Sequence, residues 1–395
     1  KNLSALEYIE VEAGNVAYSS VDGMLCDADT SNKTLLFCPR AKGGIVEIPT
    51  GVYNVGEGAF QNNSGILQVI IPSFVTDIGN NAFNGCENVV TVTFEGTRYM
   101  PLTIGDYAFA SCKRLKEVEV ESNNTGSLDL GLVTIGDYAF AKNARTKALK
   151  IGDGVNIAYV GAYAFADNTR LATIDISDKA AITEIGAYAF SNITAIRKIV
   201  IHATTRSIGD YAYSGCTWVT EVSFAPNGQE ITFGDYVFEN CARLSTISLP
   251  ATVTKFDGSA FAGCNGINTI TVDPNNQYLS AENGVLYDKA KTTLMYYPKA
   301  KDLDFATDLP ATLTTFGAAV FQDNQMITEV TIPATITKIG ANAFNNCINL
   351  EEVTFLTSGN EMSIGAYAFA NCGKLDSITV PTKTTVIGDG AFSHT

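Results

Sequence analysis

Histidine is nearly missing: His202 and His394 are the two in 395 residues. So little imidazole argues against metal-dependent or His-dependent catalysis, which draws on that ring as ligand or general base. Trp218 is the single tryptophan, and no two of the nine cysteines form a C-x-x-C pair. The usual spacing of a zinc or thiol-redox motif is therefore absent. No run approaches the roughly 18 apolar residues that a membrane-spanning helix needs. Positive charge is scarce as well, with 26 Lys+Arg against 41 Asp+Glu and a formal net charge of −15. That balance repels phosphate backbones and anionic lipid, so neither nucleic acid nor a membrane surface is expected as partner. The chain opens on Lys1 with no Met and no basic-then-apolar leader, which reads as a processed or trimmed start.

Hydrophobic residues are plentiful at 46%, and charged ones make up only 17%, so the chain can bury a large core. Its organisation is repetitive. The stretch from Ile104 to Val120 has the skeleton I-G-x-x-A-F-x-x-[C/N]-x-x-L-x-x-V-x-V, and this recurs from end to end. Its aromatic anchor falls at Phe60, Phe83, Phe109, Phe140, Phe165, Phe190, Tyr213, Phe238, Phe261, Phe321, Phe344, Phe369 and Phe392. Most steps are 23 to 26 residues, with one of 31 and one of 60. A fixed period of this size marks units that cannot bury their apolar face alone and must stack.

Each slot has a physical reading. Val118 and Val120 alternate with polar residues, as in a half-buried strand. Gly105 marks a tight turn or a close approach of the neighbouring unit. Asp106, with Asp137, Asp210, Asp235 and Asp389 in the same slot, is placed to cap the free N–H groups of a short helical turn. Ala108 and Phe109 fill the interior. Stacking thirteen or more such units predicts one solenoid over residues 1–395 with a parallel sheet along one side. Both termini fall partway through a unit, and solenoids need polar caps, which predicts further protein beyond one or both ends.

Seven cysteines share one slot: Cys86, Cys112, Cys216, Cys241, Cys264, Cys347 and Cys372. Asn63, Asn143, Asn168 and Asn324 occupy it elsewhere. Asn forms no disulfide, so the shared property is a small polar group bonding to interior backbone. Buried reduced thiols are the expectation, with a disulfide among Cys216, Cys241 and Cys264 as the alternative. Cys26 and Cys38 lie outside the slot, and a bridge between them stays open. Their counterparts in a second copy of that element are Tyr287 and Tyr297. The two copies are residues 11–50 and 272–311. Each holds two apolar runs around a polar turn, the pattern of a β-hairpin insertion. A longer loop at 121–132 projects from the repeat.

At this point the unit, written I-G-x-x-A-F-x-x-C-x-x-L-x-x-V-x-[IVF]-P, resembles the BspA-like, or treponemal-type, leucine-rich repeat. The resemblance covers nearly the whole chain. It implies an α/β solenoid, a right-handed superhelix with a parallel sheet on one face and short helical or 3-10 turns opposite. It also implies a secreted or cell-surface bacterial protein, anchored through a segment absent here, that adheres to host matrix proteins, host cells or other bacterial surface proteins. The family has no shared catalytic motif and no cofactor.

Two rows of residues are candidate sites. If the strand valines point inward, the alternate residues form an outward strip that includes Glu117, Glu119, Asp175, Glu221, Thr246, Glu329 and Glu352. It is either a solvated strand surface or a binding strip for a basic or polar partner. Tyr107, Tyr138, Tyr163, Tyr188, Tyr211 and Tyr236 fill the slot before Ala-Phe in six consecutive units. They stack on one another or, as amphipathic rings in a row, grip a glycan. A noncatalytic adhesion scaffold is the leading reading, and a glycan-binding surface module is the alternative.

Overall fold

The computed structural model describes residues 5–96, 100–121, 132–226, 228–299, 301, 309–356 and 359–395. Residues 122–131 of the long loop, and 300 and 302–308 of the second insertion, lie outside the described residues. The chain forms two compact units: residues 1–196 with 202–213, and residues 197–201 with 214–395.

In the first unit each repeat contributes two short strands, where the sequence reading expected one. The V-x-V segments form a six-stranded parallel ladder running from Gly44–Glu47 to Thr173–Ile176. Val118 and Val120 are buried, while Glu117 and Glu119 turn outward. A second parallel ladder ends on the Ile before each Gly, as in Asp77–Ile78, Leu102–Ile104 and Val133–Ile135. Its signal was present as the apolar–polar–apolar triplets Leu102-Thr103-Ile104 and Val133-Thr134-Ile135. Strands this short hold because each is buried between neighbours in register.

The segment between Gly and Cys is not the short helical turn that was expected. Two left-handed residues interrupt it in each repeat, Tyr107 at φ 57° and Ser111 at φ 58°, Tyr138 at 57° and Lys142 at 61°. A right-handed helix cannot pass through that region. Alternate N–H groups donate instead to the next repeat: Tyr107 to the Asp137 carbonyl at 2.9 Å, Phe109 to Ala139 at 2.7 Å, Ser111 to Ala141 at 3.1 Å. Gly58, Asn81, Gly85, Asn62 and Asp167 occupy the same two slots with positive φ. These are the residues that tolerate that region best, so the signal was readable. The one helix among the described residues is the 3-10 turn Gly258–Phe261.

The Asp slot also works differently. Asp106 Oδ1 accepts from the Asp137 N–H at 2.9 Å, and Asp137 Oδ1 accepts from the Ala162 N–H at 2.7 Å. Each carboxylate caps the following repeat and not its own turn. The Gly slot is a close-approach seam: a Cβ on Gly105 would lie 2.7 Å from Asn80 N, and one on Gly161 would lie 2.4 Å from Gly136 C. Inside, Phe60, Phe83, Phe109, Phe140, Phe165, Phe190 and Tyr213 stack ring on ring at 4.5 to 5.4 Å, all within 10° of parallel.

Each of the two variant elements is a three-stranded antiparallel meander. The first runs through Tyr18–Val21, Met24–Asp27 and Thr34–Phe37; the second through Leu279–Glu282, Val285–Asp288 and Thr293–Tyr296. The last strand of each then pairs in parallel with the next repeat, at Asn54–Val55 and Thr315–Phe316. The meander thereby feeds the chain into the second ladder. In the second unit the V-x-V strands fall into separate pairs: Lys198–Ile201 with Glu221–Phe224, Thr246–Leu249 with Thr269–Val272, and Glu329–Ile332 with Glu352–Phe355.

Candidate interaction surfaces

The shared Cys/Asn slot is an interior donor. Cys86, Cys264, Cys347 and Cys372 donate Sγ–H to the Phe60, Phe238, Phe321 and Phe344 carbonyls at 3.0 to 3.2 Å. Asn143 Nδ2 donates to the Phe109 carbonyl at 2.9 Å, and Asn168 Nδ2 to the Phe140 carbonyl at 3.0 Å. Both residue types thus serve the same acceptor, the anchor carbonyl of the preceding repeat. All nine cysteines are free and buried. Burial pushes the Cys38 and Cys86 thiols up to about 12 and Cys112 well above its ordinary range. These thiols are structural donors, poor nucleophiles at neutral pH.

The outward strip is less acidic in the first unit than the sequence list implied. Thr93, Glu119, Lys150 and Asp175 stand side by side in register. Lys150 forms an ion pair with Glu117, and that hydrogen bond holds its ammonium above the usual lysine range. The cation sits between two acidic strands and neutralises the strip locally. In the second unit Lys198 pairs with Glu221 at 2.7 Å, and Thr246 stands beside Thr269. Glu329 and Glu352 are direct neighbours, both exposed and with no ion pair among the described residues. Among the described residues the Glu352 carboxylate accepts only from the Thr354 hydroxyl, at 2.9 Å. Like charges at adjacent strand positions oppose folding, so this pair carries a local cost.

The tyrosine row resolves into a stack. Tyr107, Tyr138, Tyr163, Tyr188 and Tyr211 lie at ring separations of 4.6 to 4.7 Å, within 4° of parallel. Every one is in the left-handed region, at φ 56 to 58°. The ring faces cover one another, which leaves hydroxyl edges for an outside ligand. Tyr236 belongs to the second unit, where its hydroxyl accepts from Asn342 Nδ2 at 3.1 Å. Asn342 fills the same slot 106 residues later. Between them the slot holds small buried residues, Ser259 and Ala319, which let the two approach.

The single tryptophan, Trp218, has two cationic partners that the sequence pattern did not announce. The Arg243 guanidinium lies 3.7 Å from its ring centroid and that of Arg197 lies at 5.2 Å. Cation–π contact with two arginines holds a ring that is still 39% exposed. His202 is half-buried: its Nδ1 meets the Thr204 hydroxyl at 3.0 Å, and burial lowers its pKa. Among the described residues no three His, Cys, Asp or Glu side chains converge as a metal site requires. No helix among them is long and apolar enough to cross a membrane.

No curated protein matches the chain. Among solved structures it is similar to a leucine rich cell surface protein from Faecalibacterium prausnitzii, at 22% identity and a TM-score of 0.57, covering 95% of this chain and 86% of the other. It is also similar to a leucine-rich repeat protein from Bacteroides ovatus, at 19% identity and TM-score 0.53, covering 98% and 92%. The pneumococcal vaccine antigen PcpA is similar at 17% identity and TM-score 0.52, covering 94% and 78%. At such identities the likeness is one of fold. The sequence pattern of the BspA type leucine rich repeat region matches in six copies, over residues 42–131, 133–268 and 303–395. That is well over half the chain, which belongs to the BspA type leucine-rich repeat family.

Proposed function

We propose that this protein is a noncatalytic adhesion or protein-interaction scaffold displayed at a bacterial cell surface. The surface location is supported by the family and by the similar cell-surface protein of F. prausnitzii. The observation that carries the reading is the outward strand rows, which present polar side chains at a constant strand pitch of about 4.8 Å. Rigid, in-register display of this kind suits an extended partner bound by many weak contacts. It does not converge several groups on one reacting atom, as catalysis needs.

Glu329 and Glu352 form the part of the strip with uncompensated charge, and they suit a partner with a basic face. The test is a binding panel of purified host matrix proteins against the full chain and an E329K/E352K variant. A partner of the native chain should lose at least about tenfold in affinity, mostly at low salt. Unchanged affinity for every bound matrix protein removes this strip as the site. The glycan alternative rests on the tyrosine row, and the covered ring faces weaken it, since a sugar cannot stack where another ring already lies.

A further inference from the structure

The acidic chain concentrates positive charge on one edge of its first unit. Arg114, Arg145 and Arg170 each stand two residues after the buried donor, Cys112, Asn143 or Asn168, in three successive repeats. Lys116 and Lys147 follow two residues later. The Lys147 N–H donates to the Lys116 carbonyl at 2.7 Å, so these two are direct neighbours. All five side chains are exposed. Among the described residues Arg114 reaches only Asn88, at 3.5 Å. Lys116, Arg145, Lys147 and Arg170 have no ion pair among the described residues. Three other lysines of the same unit do form ion pairs: Lys113 with Glu87, Lys150 with Glu117 and Lys179 with Asp153.

Like charges at strand pitch repel, and a chain with 41 carboxylates has ample acid to pair them. We propose that this edge is a binding site for a linear sulfated polysaccharide, laid along the direction of stacking. Arg and Lys suit sulfate: the guanidinium fork matches a tetrahedral oxyanion in bidentate fashion and the ammonium adds a point charge. The site is narrow. Glu117 and Glu119 lie on the strand that follows Lys116, so a broad polyanion such as a nucleic-acid duplex meets repulsion beside the attractive row. A single-stranded nucleic acid needs aromatic platforms for its bases. From Lys113 to Lys116, Ala144 to Lys147 and Thr169 to Ala172 the edge offers no aromatic side chain. The site uses neither Glu329 nor Glu352, so its failure and that of the protein-binding strip are separately visible.

Heparin is the probe, titrated against the full chain at about 0.05 and 0.15 M salt, where screening of exposed charges differs. The native chain should bind despite its net charge of −15. The R145A/K147A/R170A variant should lose at least about tenfold in affinity and show a shallower salt dependence. The K255A/K338A/K383A variant removes the same charge from the second unit and should bind as the native chain does. Neither variant should shift the melting midpoint. Failure of the native chain to bind, or equal losses in the two variants, overturns the proposal. Equal binding of desulfated heparin, polyglutamate or oligo-dT overturns it as well, and in the last two cases points to an acidic peptide or a nucleic acid.

Discussion

The two units contain the same repeat and treat it differently. In the first, seven aromatic anchors form one near-parallel column. In the second, Phe238 stacks on Phe261 at 13°, but Phe261 meets Tyr296 at 72° and Tyr297 meets Phe321 at 46°; stacking then resumes from Phe321 through Phe344 and Phe369 to Phe392, at 21°, 3° and 9°. The break falls at the inserted meander, beside the one repeat that lacks the seam glycine. That glycine stands four residues before every anchor, at Gly56, Gly79, Gly105, Gly136, Gly161, Gly186 and Gly209 in the first unit. Before Phe261 that position is Asp257. A side chain cannot enter the seam, so Asp257 caps its own turn through the Ser259 N–H at 2.8 Å, and the turn closes as a 3-10 helix. The antiparallel meander packs there next. One missing Cβ per repeat therefore sets the close backbone approach of neighbouring turns, while the Phe261 ring still stacks on Phe238 without it.

That comparison can be broken at its seams. The largest effect is expected at Gly258, where a Cβ would lie 1.6 Å from the Met295 carbonyl oxygen of the meander. Gly258→Ala should cost about 3 kcal/mol or more, because backbone on both sides must move. Gly161→Ala in the regular column meets Gly136 backbone at 2.4 Å and should cost about 1–3 kcal/mol, spread by small shifts along the stack. Gly373→Ala meets nothing within 4 Å and should change stability by a few tenths of a kcal/mol at most. Denaturant midpoints give the order. If Gly161→Ala proves as harmless as Gly373→Ala, the seam does not control the stacking.

A smaller difference sharpens the account of the donor slot. Asn143 and Asn168 both donate to a preceding anchor carbonyl, but Asn168 Oδ1 also accepts from the Asn143 N–H at 2.9 Å, whereas Asn143 Oδ1 is buried without a partner among the described residues. Asn168→Cys orphans a buried N–H and should cost about 1–2 kcal/mol. Asn143→Cys keeps the donor, sheds an unsatisfied oxygen, and should be close to neutral. Equal losses at the two sites contradict the slot's assignment.

Much of this was legible in the repeat. Register, inward valines, the phenylalanine column and the Cys/Asn equivalence follow from which residue types share a slot. The helical turns were misread because Tyr107 and Tyr138 conceal a left-handed slot that Gly58 and Asn81 announce. Tyrosine is a poor resident of that region, and its stacked neighbours hold it there. The second ladder escaped notice because two- and three-residue strands carry little alternation. The strip's charge was misjudged for a plainer reason: Lys150 occupies one of its own outward positions, and pairing across strands is a property of register, not of one strand's composition. Arg197 and Arg243 come to flank Trp218 by the same rule, one repeat before it and one after.

Thiol counting tests most directly whether successive repeats share one interior through the donor slot. The account predicts that a maleimide reagent at pH 7 finds essentially no reactive thiol in the native chain, since all nine are buried and burial holds Cys38, Cys86 and Cys112 protonated. In denaturant without reductant it should find all nine. Prompt labelling of several slot cysteines in the native protein, or fewer than nine after unfolding, would contradict it.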